Sequence, residues 1–160
     1  MDKGNELLWE KKYLDEKAKT NRLEVLYRTA GKWLELFSRG ISLESRLREW
    51  GIKRFVIYGA SKFSLRMLDC CEREKIAVAA ITDKRITVMG GLYNDIPLIP
   101  VQNLQNYAKS DGYIIVTAMG YFEEIRSELE HMGCQRILSL EQLLDGKERV
   151  SGGMDGQLYR

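Results

Sequence analysis

Proline is scarce in this chain, with only Pro97 and Pro100 among 160 residues, so no proline interrupts the first 96 positions. Histidine is nearly absent. His131 stands alone at the expected end of a helix, where a positive charge is favourable, and no histidine-based catalytic dyad follows from it. The cysteines Cys70, Cys71 and Cys134 are odd in number and two are adjacent, which excludes metal-ligand spacing and a CxxC redox pair. No apolar run approaches the length of a membrane span, the longest lying near Ile76 to Ile81, and the first residues carry no signal-peptide apolar region. An excess of charge of one sign is missing too. Against 25 basic residues stand 23 acidic ones, a net +2 that argues against nucleic acid or an anionic membrane surface as the principal partner. The expectation is a cytoplasmic protein without membrane insertion, whose 44% hydrophobic content suffices for one α/β core without disulfides or metals.

What is present begins with a long helical pattern. Residues 6 to 38 hold no proline, and Leu23, Leu26, Tyr27, Ala30, Trp33, Leu34 and Phe37 form one wide apolar stripe over the second half. Leu7, Leu8, Trp9, Tyr13, Leu14 and Ala18 give a thinner stripe over the first half. A helix of about 30 residues runs roughly 45 Å, longer than a small domain is wide. The second half is expected to dock on the body, and residues 6 to 22 to serve self-association, most simply a twofold homodimer, or a glycan-synthesis partner chain. Arg39-Gly40 ends this helix, and Ser42 caps a short one running through Trp50 to Gly51.

The remainder alternates strand and helix. Arg54-Phe55-Val56-Ile57-Tyr58 reads as a buried strand, Phe63 to Cys71 as a helix and Ala77 to Thr82 as a second strand. Lys84 to Asp95 is irregular. Ile96-Pro97-Leu98-Ile99 is a short strand confined to a sheet edge by its proline. A helix over Val101 to Lys109, a strand over Gly112 to Thr117, a helix from Tyr121 to Met132, a last strand at Arg136 to Ser139 and a helical turn at Leu140 to Leu144 complete the order. The pattern predicts an α/β, Rossmann-like three-layer domain whose mainly parallel sheet has five strands in the order 3-2-1-4-5. The expected division is an N-terminal helical extension over 1–51, the Rossmann-like domain over 52–145 and a loose tail over 146–160.

The turn after the first strand, Gly59-Ala60-Ser61-Lys62-Phe63-Ser64, stands where a nucleotide-binding loop belongs, and Asp83 follows 24 residues after Gly59, where a ribose hydroxyl would be bound. The second and third glycines of Gly-x-Gly-x-x-Gly are replaced by Ser61 and Ser64. A side chain at Ser61 crowds a dinucleotide pyrophosphate, although its hydroxyl can serve a single phosphate beside the helix N-terminus. The predicted mouth brings together Gly59, Ala60, Ser61, Lys62, Asp83, Thr117, Ala118, Met119 and Gly120, with Tyr121 and Phe122 beside it. Each also has a packing role: a tight turn at Gly59, a turn carboxylate at Asp83, a capping hydroxyl at Thr117, and a core ring at Phe122. Cys70 and Cys71 read as small core residues. Glu123-Glu124, at a helix start, is explained by charge near the N-terminus.

The chain resembles a group of small Rossmann-like, NAD(P)-binding-like domains of bacterial surface-polysaccharide and glycosyltransferase gene neighbourhoods. The residues that carry this resemblance are Leu26, Tyr27, Trp33, Leu34 and Leu36, the strand Phe55 to Gly59, Thr82-Asp83-Lys84, Ile96-Pro97, Ile115 to Ala118 and Tyr121 to Ile125. Over about residues 53 to 144 it is also similar to the nucleotide-sugar-binding N-terminal domains of bacterial sugar acetyltransferases and to the C-terminal domains of sugar C-methyltransferases. The resemblance implies a ligand class, a nucleotide or nucleotide sugar, and a setting in surface-glycan biosynthesis, with no defined reaction or cofactor.

Two functions stay open from the sequence. One is a nucleotide or nucleotide-sugar binding or regulatory module. The other is a degenerate, ligand-free module whose helices mediate assembly with itself or with a glycan-synthesis protein. An NAD(P)-dependent oxidoreductase or epimerase is disfavoured, because the chain lacks a Tyr-x-x-x-Lys pair and a separate substrate domain.

Overall fold

A computed structural model describes residues 3–107 and 112–147. Helix α1 (Lys3–Ser38) is followed by α2 (Leu43–Glu49), whose N-cap Ser42 accepts from the Ser45 N–H. Gly40 and Gly51, both with left-handed φ, end these two helices. Strand β1 (Phe55–Tyr58) leads into α3 (Lys62–Glu74), then β2 (Ala80–Thr82), β3 (Gly91–Tyr93) and β4 (Ile96–Ile99). A 3-10 turn at Val101–Asn103 runs into α4 (Leu104–Tyr107). Then follow β5 (Tyr113–Val116), α5 (Phe122–His131), β6 (Ile137–Ser139) and α6 (Leu140–Asp145). The last two residues of the helix expected over Val101 to Lys109, and the tail from 148 onward, lie outside the described residues.

The sheet has six strands in the order β3-β4-β2-β1-β5-β6, parallel throughout except for the β3–β4 pair. This differs from the expected five-stranded order 3-2-1-4-5, because Gly91–Tyr93, inside the stretch read as irregular, forms an additional edge strand. Asn94 and Asp95 have φ of 47° and 66°. Positive φ at both central residues is what a two-residue hairpin turn of type I′ requires. The expectation that Pro97 confines its strand to an edge is likewise corrected, since β4 lies between β3 and β2. Pro97 stands opposite Leu92, one step beyond the pair that flanks the turn. In such a hairpin that second pair exchanges no hydrogen bonds, so the position of the missing N–H is directed toward β2, whose pairing with β4 begins one residue later, at Ile81–Leu98.

Alternation along the strands splits the core into two layers. Phe55, Ile57, Ile81, Ile115 and Leu138 face Trp33, Leu36, Leu43, Leu47, Met67 and Leu143, placing α1, α2, α3 and α6 on one side. Val56, Tyr58, Ile114 and Val116 face Ile99, Leu104, Ile125 and Leu129 on the other, the side of α4 and α5. Cys70, Cys71 and Cys134 are buried and unpaired, as small core residues should be.

Helix α1 docks through a narrower face than its apolar stripe predicts. Thr29, Trp33 and Leu36 are buried, with Val25 and Leu26 packed beside them, whereas Leu23, Tyr27, Leu34 and Phe37 are exposed. The stripe spans two adjacent faces of the helix, and the body takes only one. Charges lock the docked half from the opposite flank. Arg28 Nε and Lys32 Nζ reach Glu141 Oε1 at 2.5 and 2.8 Å, and Lys32 also reaches Asp145 at 2.9 Å. Burial alone would raise the Glu141 pKa, but the hydrogen bonds and charges of Arg28 and Lys32 outweigh it and hold the carboxyl below its ordinary value.

A carboxyl whose folded pKa is depressed stabilises the fold above its unfolded pKa and loses that contribution as pH falls through the folded one. Glu141→Gln should therefore cost about 1.5–3 kcal/mol at neutral pH, the range for a hydrogen bond to a charged group. Denaturant unfolding of both proteins should show this difference shrinking in acid, once Glu141 of the wild type is protonated. A difference that is independent of pH would remove the charge cluster from the account.

Candidate functional site

The mouth lies where β1, β2 and β5 end. Gly59 leaves β1 with φ 126°, and its N–H donates to Thr82 O at 2.9 Å. A Cβ at Gly59 would stand 2.7 Å from Thr117 Oγ1 and 3.1 Å from the Ala118 nitrogen. The glycine is thus required by the close approach of the two chain segments, with or without a ligand. Thr117 is wholly buried, and its hydroxyl donates to Tyr58 O at 3.1 Å, so it braces this crossing and does not cap α5. Helix α5 starts at Phe122 after Tyr121, without a side-chain cap.

The serines that replace the two glycines form a reciprocal capping box at the start of α3. Ser64 Oγ accepts from the Ser61 N–H at 2.7 Å and Ser61 Oγ accepts from the Ser64 N–H at 3.4 Å. Each hydroxyl also donates once, Ser64 to Ser61 O at 2.6 Å and Ser61 to Thr117 O at 3.3 Å. This is the hydrogen-bonding capacity that a capping box uses at a helix N-terminus.

Asp83 closes the other side. Its carboxylate accepts from the Ala60 N–H, the Arg85 N–H and Arg85 Nε, each at 2.9 Å. Arg85 in turn donates through Nη2 to Ala60 O, also at 2.9 Å, so Asp83 and Arg85 clasp both the N–H and the carbonyl of one turn residue. Burial tends to raise the Asp83 pKa, but the Arg85 side chain, the Arg85 and Ala60 N–H groups and the Arg85 charge together hold it below the ordinary value. Lys62 points to solvent from the first turn of α3. Tyr58 is buried on the far side of the sheet, and its hydroxyl has no partner. Burial first, then the charges of Glu128 and Asp83, push its pKa up to about 12, so it stays neutral at physiological pH.

On the β5 side the mouth is covered by α1. Arg22 stacks over Tyr121 with its guanidinium 4.5 Å from the ring centre, and Thr29 Oγ1 lies 3.4 Å from the Met119 sulfur. Gly120, with φ 82°, lets this happen, since a Cβ there would stand 2.9 Å from Arg22 Cβ and 3.1 Å from Arg22 Cα. The structure therefore brings Gly59, Ala60, Ser61, Asp83, Thr117 and Ala118 together as anticipated, but Met119 and Gly120 face a helix of the same chain. Arg22 and Arg85 are participants that the sequence did not single out, and Ser64, noted as a replaced glycine, takes part as a cap. The Asp-x-Arg spacing of Asp83 and Arg85 was the available signal, since aspartate bonds a backbone N–H two residues on. Among the described residues no group of three or more His, Cys, Asp or Glu side chains is placed to hold a metal ion, and no helix is long and apolar enough to cross a membrane.

These elements define a mixed α/β domain built on a mostly parallel six-stranded sheet with a long N-terminal helix. The chain belongs to the C2185-like family, whose N-terminal domain matches residues 51–138. No curated protein and no solved structure matches it significantly. The match begins at Gly51 and so leaves α1 and α2 outside it.

Gly120→Ala should lower stability by about 2 kcal/mol or more, combining a left-handed residue penalty of roughly 1–2 kcal/mol with the clash against Arg22. Gly133 provides the control, because its φ of 89° is similar but no atom lies within 4 Å of the added Cβ. Thermal unfolding should place the Gly120 variant several degrees below the Gly133→Ala variant. Equal losses at the two positions would show that α1 does not press on Gly120.

Proposed function

We propose that this chain is a ligand-free, Rossmann-like module that works by protein assembly, with no catalysis of its own. The observation that carries this reading is the state of the glycine turn. The Ala60 and Ser61 N–H groups, which a phosphate in a Rossmann site would use, are bonded to the Asp83 carboxylate and the Ser64 hydroxyl. An incoming phosphate must displace an anion already held by Arg85 before it reaches the Ala60 N–H, and the Ser64 hydroxyl before it reaches that of Ser61. The long helix, by contrast, leaves Leu7, Leu8, Trp9, Tyr13 and Leu14 more than half exposed, which suits a partner surface. The resemblance to surface-polysaccharide domains supports a setting in bacterial glycan synthesis. The three unpaired cysteines suit a reducing cytoplasm.

A second reading, a nucleotide or nucleotide-sugar site, is favoured by one feature. Asp83 sits at the carboxyl end of β2 beside the exposed Ala60. A ligand phosphate that took over the Ala60 N–H would leave Asp83 for ribose hydroxyls.

Calorimetric titration with UDP, a UDP-sugar, a CDP-sugar and NAD separates the two. The assembly reading expects no binding by the wild type, and Asp83→Ala to cost about 1.5–3 kcal/mol of folding stability, because three hydrogen bonds to a charged group are lost. Micromolar affinity for any of these ligands, abolished by Asp83→Ala, would overturn it in favour of the nucleotide reading.

A further inference from the structure

Helix α1 leaves the body near Arg22, and from Lys3 to Asn21 every residue except Ala18 is exposed. This free arm of 19 residues is about 28 Å long at 1.5 Å per residue. Along the whole helix, Trp9, Tyr13, Glu16, Thr20, Leu23, Tyr27, Ala30, Leu34 and Phe37 recur at alternating spacings of four and three. That is an uninterrupted heptad seam of a coiled coil, with seven of nine positions apolar. Its large apolar members are all exposed: Trp9 68%, Tyr13 66%, Leu23 55%, Tyr27 85%, Leu34 70% and Phe37 53%. The face buried against the body, Val25, Thr29, Trp33 and Leu36, is a different one. Where the seam runs over the body it borders a groove of about 680 Å³ between α1 and α3, lined by Ala30, Leu34, Phe37 and Phe63 among others.

We infer that the occupant of this seam is the α1 helix of a second copy of the chain, lying antiparallel, with Trp9 against the partner copy's Leu34 and Tyr13 against its Ala30. The inference rests on the assembly part of the reading above. In this register the twofold axis falls between residues 21 and 22, where the helix leaves the body. Each free arm then lies along the docked half of the other helix and enters the α1–α3 groove, while the two bodies stand at opposite ends. A parallel pair would instead press body against body and leave both grooves empty.

Charge selects the same register. The positions flanking the seam on its outer side are Glu10, Lys17 and Glu24. With the axis between 21 and 22, Lys17 faces Glu24 of the other copy twice over. Sliding by one heptad in one direction sets Lys17 against Lys17 and Glu10 against Glu24, and sliding in the other sets Glu24 against Glu24. A parallel pair would place Lys12 beside Lys17. The area is adequate too. With aromatic side chains burying about 150–250 Å² each, the six exposed seam residues offer on the order of 800 Å² per chain, the share of each partner in a standard interface.

The test is light scattering and sedimentation of the full chain over a concentration series, with four variants checked for folding by circular dichroism. The wild type is expected to be a dimer. Tyr27→Glu, at a site 85% exposed in one copy, should leave a folded monomer. Lys17→Glu should weaken the dimer about three- to tenfold by setting glutamate against glutamate twice, Glu24→Lys should do the same, and Lys17→Glu/Glu24→Lys should restore wild-type affinity. Neighbouring registers predict no loss from Lys17→Glu. A monomeric wild type, a dimer indifferent to Tyr27→Glu, or a double variant no tighter than the singles would overturn the inference. Because this readout needs no ligand, a nucleotide-binding dimer would sink only the ligand-free reading, and a ligand-free monomer only the pairing.

Discussion

At the carboxyl end of β1 the chain leaves the sheet and enters a helix, and the N–H groups exposed at that corner each need an acceptor. A buried or half-buried N–H without one costs about as much as a lost hydrogen bond, which constrains Ser61 and Ser64, whereas at the exposed Ala60 an acceptor takes the place of water. In a nucleotide-binding domain the partner is a phosphate. Here it is supplied from within: Asp83 takes the Ala60 N–H, Ser64 takes that of Ser61, and Ser61 takes that of Ser64. Arg85 then neutralises the carboxylate and ties it to the Ala60 carbonyl. Every other feature of the mouth is compatible with a corner that has become structural.

The same logic governs the helix that covers β5. Gly120 allows Arg22 to pass at a distance no side chain would tolerate, and Tyr121 receives the guanidinium on its ring. On the far flank Glu141 and Asp145 hold Arg28 and Lys32. Docked between these points, α1 belongs to the core through Trp33 and Leu36 and to the surface through Lys3 to Asn21, Ala18 excepted. One element thus joins a closed mouth to an exposed arm. This coupling turns attention from ligand to partner.

Much of the strand-and-helix order was legible because the signals were local: apolar runs at Phe55 to Tyr58 and Tyr113 to Val116, a serine cap at Ser42, and glycines at Gly40 and Gly51. What escaped depended on pairing across the chain. The Gly91–Tyr93 strand has three exposed residues and no hydrophobic period, so only its hairpin partner reveals it. Pro97 looked like an edge marker because sequence cannot show that the pairing with β2 starts only beyond it, at Leu98. The wide stripe of α1 could not disclose which half faces the body, since Trp33 and Leu34 are neighbours in sequence and opposite in burial. At the mouth, spacing placed Gly59 and Asp83 at one strand end, but the contacts of the Arg85 side chain with Ala60 and of Arg22 with Tyr121 join distant parts of the chain, and spacing does not announce them.

Closure of the mouth depends on the Asp83 carboxylate occupying the Ala60 N–H in the ligand-free protein. The most direct measurement is a pH titration of backbone amide proton shifts by nuclear magnetic resonance. If the carboxylate holds both groups, the Ala60 and Arg85 amide protons move together through one midpoint that lies below the ordinary aspartate range, because the hydrogen bonds and the Arg85 charge favour the ionised form. An Ala60 amide that shows no inflection, or one that titrates at the value of an unperturbed aspartate, would mean that the turn is open, and the claim that Asp83 closes this corner would be wrong.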